Sequence, residues 1–437
     1  MKKILVTGLC TLHWGRLQYG NIGNYYIIEP LFRLLHKYNP DADIFTTFQM
    51  DETFQKRENL MILPMEVYYA WRDDDVGQAI LDYEQAKLLD RNDGIKELTP
   101  WNELVMGMDM VINISGDMWG DNAEHVGKDR FKVDCYKMRA AQLMNKTCIL
   151  HAVTPGPFDN AWDIDFVKET FEGFSGVYVR EKISLGNLKK WGFNTDRVFY
   201  APCPSFVFEP DRCYEGSVKS IVKSIRKQKG LAIGLTFGGF NMPIGPYDMW
   251  PREDSQYDSY VQLALHILNH TKASIILFSH TNGFEREPVF QLKNGRDFEI
   301  LKQFFEIMMK KTINNEIAQR IYLIDRPMLP ANMKAFIGDL DLLITGRVHA
   351  SVAALSQCVP AVFIEYDQRV IRSDKMTGFS AQLGMEKFVS SPDDTESLIA
   401  SVDMCIKSLG KIKKNIQEVL PTIQNAAEEA FRTMCFA

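Results

Sequence analysis

The chain has 437 residues, of which 46% are hydrophobic and 24% charged, and 50 Lys and Arg against 56 Asp and Glu leave a net charge of −6. A chain of this length holds two or three soluble domains with sizeable cores, and its acidic balance excludes a nucleic-acid partner, which would need a basic excess to neutralise phosphates. The eight cysteines form no CxxC pair. They read as reduced, buried small hydrophobes of a cytoplasmic protein, not as a zinc site or a disulfide framework.

The first segment, MKKILVTGLCTLHWG, starts like a secretory leader, but His13, Trp14 and Arg16 cut the apolar run short. It reads as a buried strand over 4–7. No later stretch approaches the ~18 uninterrupted apolar residues of a membrane span. The loop GRLQYGNIGNYYIIEPL (15–31) follows. It lacks G-x-G-x-x-G spacing, so a dinucleotide fingerprint is not supported. Asn21, Gly23 and Asn24 offer amides and backbone N–H groups to a ligand, or simply cap the helix expected over 24–38.

Short apolar runs then predict strands over 110–114, 147–150 and 176–179. NISGDMWGDNAEH (113–125) leaves the first of these, and its Ser115, Gly116 and Asp117 suit sugar hydroxyls. A cation on Asp117, Asp121 and His125 lacks any fixed ligand spacing, and no metal is expected. HAVTPGPF (151–158) places His151 directly after the second strand, either lining a site or satisfied at a sheet edge. VREKIS (179–184) brings Arg180 out at the end of the third, either into a ligand crevice or into weak surface pairing with Glu181.

Between 204 and 230 proline-rich apolar sequence gives way to a basic stretch, and strands resume over 231–235, 274–278, 321–324, 342–345 and 361–364. Each run is apolar on both faces, which is the mark of parallel strands covered by helices. Amphipathic stretches over 258–269 and 297–311 supply such helices. The alternation predicts an α/β chain of two Rossmann-like doubly wound domains. Residues 1–210 form the N-terminal domain and 211–392 the C-terminal domain. A helical tail over 393–437 packs back on the N-terminal domain, and the active site lies in the interdomain cleft.

The sharpest motif is DLLITGRVHASVAALSQCVPAVFIEYD (341–367). Gly346 permits a tight turn from strand to helix. Arg347 and His349 then stand at the helix start, where unpaired N–H groups and the helix dipole attract anions. Arg347 adds a planar fork for carboxylate or phosphate, and His349 a group able to exchange protons near neutral pH. The plainer reading pairs Arg347 with Asp341 or Asp367 and leaves His349 as a cap.

In order, these pieces resemble the polysaccharide pyruvyl transferase family. DLDLLITGRVHASVAALSQCVPAVFIEYDQR with GFSAQLGM is similar to the family's D-lvit-R-L-H, helix, g-V-P-v-i-i-Y-d-x-K and lG series. YGNIGN, ISGDMWGD, TPGPF and VYVREKIS fall in the expected places, so the resemblance spans roughly 4–390. Val348 stands for the usual leucine, Asn24 for an aspartate, Ser115 and Asp117 for glycines, and Arg369 for a lysine. APCPSF lacks the aspartate common in D-P-a.

The resemblance implies a GT-B-like architecture and transfer of pyruvate from phosphoenolpyruvate to a hexose of a glycan or lipid-linked oligosaccharide. The product is a cyclic, for example 4,6-, ketal, and no cofactor is implied. His349 is then the general acid, Arg347 with Val348 and Arg180 hold the donor, and Asn21, Gly23, Asn24, Ser115, Gly116, Asp117, His151 and Asp367 are acceptor or loop contacts. A GT-B glycosyltransferase using a nucleotide sugar shares the fold, and a glycan-binding protein with a degenerate site is a third reading. The expected place is the cytoplasm. The basic stretches Lys219–Lys229 and Lys407–Lys414 offer peripheral contact at the inner face of the membrane.

Overall fold

The computed structural model describes residues 1–8, 20–91, 97–125, 129–214, 216–242, 249–285, 289, 291–312, 315–369 and 371–435. His13 and the start of the 15–31 loop lie outside the described residues. The strands in chain order are β1 (Lys3–Thr7), β2 (Gly20–Asn21), β3 (Asp43–Thr46), β4 (Met61–Ile62), β5 (Met110–Asn113), β6 (Thr147–Val153), β7 (Gly176–Val179) and β8 (Val198–Tyr200). They continue as β9 (Ala232–Thr236), β10 (Ser274–Leu277), β11 (Thr281–Glu285), β12 (Gln291–Asn294), β13 (Ile321–Leu323), β14 (Leu342–Thr345), β15 (Ala361–Ile364) and β16 (Val389–Ser390).

The chain divides into two compact units. The first holds the described residues of Met1–Leu17, Ile28–Pro204 and Ala426–Ala437, and the second those of Gln18–Ile27 and Ser205–Asn425. The helix Ile22–Tyr38 therefore starts in the second unit and continues in the first, and the helix Leu409–Cys435 does the same.

In the first unit a seven-stranded sheet runs β4-β3-β1-β5-β6-β7-β8, with every pairing parallel. The strand order reverses between β1 and β5. Met110–Asn113 is buried at every position, as the two-faced apolar pattern requires. The core on one side gathers Trp101, Trp119, Phe131, Phe171 and Phe174. At its end Tyr38 Oη donates to Glu428 (2.9 Å), and Phe431 packs on His151 at 4.7 Å between ring centres.

In the second unit a six-stranded parallel sheet runs β13-β10-β9-β14-β15-β16. The reversal here falls between β9 and β14. A small antiparallel sheet, β12-β11-β2, takes Gly20 and Asn21 from near the start of the chain and pairs them with Asn282 and Thr281. Tyr26 follows and stacks on Phe208 at 4.9 Å.

The two doubly wound α/β units match the expected fold class. Three details differ. β6 extends to Val153, so His151 lies inside an interior strand instead of following it; its apolar neighbours on both faces keep the ladder going. The helix after β14 begins at Val348, which places His349 within its first turn and Arg347 at the cap. The β11–β12 hairpin, TNGFE and QLKN, was not foreseen because it carries no apolar run.

Candidate functional site

In open α/β sheets ligands bind beyond the carboxyl ends of the strands, where the strand order reverses. In the second unit that place is the ends of β9 and β14. After β14 the chain turns at Gly346, where a Cβ would collide with the Asn241 amide. Asn241 itself accepts from Gly238 N (3.1 Å) and donates to Glu365 O (3.1 Å), so it ties together the loops that follow β9 and β15. The small residue is thus a packing requirement of a crowded crossing.

Arg347 caps the helix Val348–Leu355 in extended backbone, and its N–H donates to Thr345 Oγ1 (2.9 Å). Its side chain runs to Asp297, at the start of the helix Arg296–Lys311. Nε donates to Oδ2 (2.8 Å) and Nη2 to Oδ1. Asp297 is fully buried, so this is a shielded, two-pronged pair of the strong type. Gly238 fits against it: a Cβ there would lie 2.6 Å from Asp297 Oδ1 and 2.7 Å from Arg347 Nη2. The carboxylate is not Asp341, which accepts from Ala232 N (2.8 Å), nor Asp367, which pairs with Arg369 (2.7 Å).

His349 is half-buried. Its ring meets Phe379 edge-on at 6.3 Å and lies directly against Gly23, where any Cβ would fall inside the ring's envelope. Asn21 Oδ1 accepts from Gly23 N (3.0 Å) and fixes that loop. Asn21, Gly23, Asn24, Arg347, Val348 and His349 thus belong to one unit, with Gly23 touching His349. Asn24 and Val348 are buried, at 9% and 5% exposure. Asp367 N donates to Phe240 O (2.8 Å), but its carboxylate is engaged by Arg369.

Three groups beside this centre escaped sequence reasoning. Asp297 and the Gly238–Asn241 turn are two. Their only signals are GGFN after a strand and GRDFE at a helix start. Glu365, just past β15, is the third: burial pushes its carboxyl up to about 7, with Tyr366 N and Thr377 Oγ1 hydrogen bonds opposing the shift.

In the first unit the reversal point holds Gly8 (φ +112°), pressed on Ser115 and the Ile114 carbonyl. Ser115 is buried, and its hydroxyl donates to Asn113 Oδ1 (2.8 Å), bracing the turn. Gly116 (φ +63°) accepts from Thr154 N (2.9 Å), and Asp117 is half-buried. Arg180 arrives from β7, 3% exposed; Nε donates to Thr154 Oγ1 (2.7 Å) and lies 3.8 Å from Glu181 Oε2. A Cβ on Gly116 would sit 3.8 Å from Arg180 Nη1. Ser115, Gly116 and Arg180 are therefore neighbours, and the surface reading of Arg180 is overturned by its burial.

His151 stands apart from them. It is fully buried between Tyr178 and Phe431, and burial pushes its pKa down to about 3. It is neither lining that turn nor satisfied at an edge: β6 is an interior strand, and neither ring nitrogen has a hydrogen-bond partner among the described residues. Also among the described residues, no group of three or more His, Cys, Asp or Glu side chains is placed to hold a metal ion. No helix there is long and apolar enough to cross a membrane.

A family model described as polysaccharide pyruvyl transferase matches residues 21–368. No curated protein matches the chain. Among solved structures, UDP-GlcNAc 2-epimerase of Methanocaldococcus jannaschii, in complex with UDP-GlcNAc and UDP, is similar at TM-score 0.51 and 16% identity, covering 92% of each chain. Anabaena HepE in complex with UDP and glucose is similar at TM-score 0.53 and 10% identity, covering 100% of each. A glycosyltransferase from Rickettsia africae is similar at TM-score 0.53 and 12% identity, covering 99% of this chain and 98% of that one. At these identities the likeness is one of fold, the GT-B architecture of two α/β units.

Proposed function

The chain belongs to the polysaccharide pyruvyl transferase family, and from that premise we propose that this transferase moves pyruvate from phosphoenolpyruvate to two hydroxyls of a hexose, forming a cyclic ketal and releasing phosphate. The observation that carries the reading is the Arg347–His349 pair at the reversal point of the second sheet. It joins a fixed cation, first-turn N–H groups and an imidazole held in place by Gly23.

The chemistry follows from the donor. A proton added to the methylene carbon leaves cationic character at the carbon bearing phosphate and carboxylate. One sugar hydroxyl attacks there and gives up its proton. Phosphate then departs with the C–O bond electrons and the first hydroxyl's proton, and the second hydroxyl closes the ring, its proton returning to His349. His349 supplies the first proton as general acid. Arg347 holds the donor anion, and Asp297, bonded to Nε and Nη2, fixes the plane of its guanidinium. Asn21, Gly23 and Asn24 support the loop against His349.

The test is incubation with phosphoenolpyruvate and a hexose acceptor. The expected result is free phosphate and a product heavier than the acceptor by pyruvic acid less water. Arg347→Ala and His349→Ala should each lower kcat/KM by about 10³-fold. Consumption of a nucleotide sugar in the control, with none of phosphoenolpyruvate, would replace this reading with glycosyl transfer. The acceptor is proposed to ride on a lipid. The helix Gly216–Lys227 and its end bury Val218, Val222 and Ile225 and expose Lys223, Arg226, Lys227 and Lys229, a basic face suited to an anionic bilayer. Equal turnover with acceptor free or on anionic vesicles would remove that part.

A further inference from the structure

After β10 the chain passes through Ser279, His280 and Thr281 into β11. Thr281 Oγ1 accepts from Asp297 N (3.2 Å), and Ser279 Oγ donates to Thr281 O (2.8 Å). The segment therefore backs directly onto the carboxylate that holds Arg347. On its other side Thr281 is the ladder partner of Asn21, and the Tyr26 ring meets His280 edge-on at 5.5 Å. His280 thus precedes the residue that bonds Asp297, and its ring packs on Tyr26 of the helix that carries Gly23.

His280 is 1% exposed, and its Nε2 has no hydrogen-bond partner among the described residues. The buried Tyr26 hydroxyl beside it is in the same condition. Burying a polar atom without a partner is costly, and such groups call for an explanation. Burial first, and the Arg347 charge second, push the imidazole down to about 3, so the ring is neutral at working pH. A neutral ring carries one N–H donor without needing a proton from solution. Because Asp297 balances the charge of Arg347, an anionic donor needs further hydrogen bonds from such uncharged groups.

We propose that His280 is a donor-binding residue, whose ring N–H hydrogen-bonds an oxygen of the anionic donor held beside Arg347. This rests on the pyruvyl-transfer reading and adds a contact to it.

The experiment compares the full chain with His280→Leu, His280→Gln and His280→Asn. The Gln amide nitrogen falls near the place of Nε2, and the Asn nitrogen near that of Nδ1. The expected result is a rise of about 10–100-fold in KM for phosphoenolpyruvate in Leu and Asn, little change in kcat, and recovery of most of the affinity in Gln. Unchanged KM in both Gln and Asn overturns the assignment, even if Leu fails to fold. Thermal protection by inorganic phosphate separates this from the reaction itself. Wild-type protein that forms no ketal overturns the reaction. Phosphate protection equal in wild type and His280→Gln and His280→Asn overturns the role of His280, whereas protection kept in Gln and lost in Asn supports it.

Discussion

Both units wind their strands in the order third, second, first, fourth, fifth, sixth, with a seventh added in the first unit, and both place glycine at the reversal point, yet they mount their arginines differently. In the second unit Arg347 leaves the fourth strand itself and is gripped by Asp297 through two nitrogens. In the first, Arg180 leaves the sixth strand, leans on Thr154 and keeps Glu181 at 3.8 Å. The fold supplies the same crevice rule twice. What each crevice can do is set by the strand that delivers the charge and by how tightly a carboxylate holds it.

The largest expected effect probes that grip. Arg347→Ala strands Asp297 as a buried, unpaired charge, and a loss of about 3–5 kcal/mol in chemical denaturation is expected. Asp297→Asn in the same background should restore part of it. A double-mutant cycle on Arg347 and Asp297 should give a coupling of about 3 kcal/mol, against about 1 kcal/mol for Arg180 and Glu181. Equal couplings would erase the contrast between the units.

The next effect concerns the glycines. Gly23→Ala pushes a methyl into the His349 ring, with an expected cost of about 1–3 kcal/mol and loss of most turnover. Gly116→Ala meets, among the described residues, nothing nearer than Arg180 Nη1 at 3.8 Å and costs only its positive φ, about 1 kcal/mol, with turnover largely kept. Turnover measured on both variants, with melting temperatures as the control, decides whether the two loops differ in this way.

The last effect sharpens the comparison through pH. His151 has its folded pKa pushed down to about 3, from an ordinary 6.5. Its neutral form is favoured by the fold, so its contribution is complete above 6.5 and is lost as pH falls from there towards 3. At pH 5 the loss is about 2 kcal/mol. His151→Leu should flatten the stability profile between 6.5 and 4. Glu365, pushed up to about 7 by burial, works in the opposite sense, its contribution being present below 4.5 and lost as pH rises through 7. Only the difference between wild type and the His151 variant isolates the first-unit histidine.

Much of the fold was legible because parallel strands buried on both faces leave continuous apolar runs, as in Met110–Asn113 and Leu342–Thr345. The strands β2, β3, β4, β8 and β16 and the β11–β12 hairpin were not, since two to five residues are too few to show a period. At the candidate site, Arg347 and His349 stood out because a cation and an imidazole at a strand-to-helix turn are chemically unusual. Their partners did not. Asp297 is one carboxylate among 56 Asp and Glu, and nothing local marks it.

By itself the sequence determined the alternation of buried strands and amphipathic helices, and with it two doubly wound units and the turn that presents Arg347, Val348 and His349. These are properties of neighbours along the chain, written in periodicity and turn chemistry. Only the tertiary structure decided that Gly23 makes room for the ring of His349, that Asp297 holds Arg347, and that His280 packs on Tyr26 while His151 is sealed under Phe431. Each of those is a contact between distant segments, fixed by packing and charge compensation in three dimensions, and no local pattern encodes it.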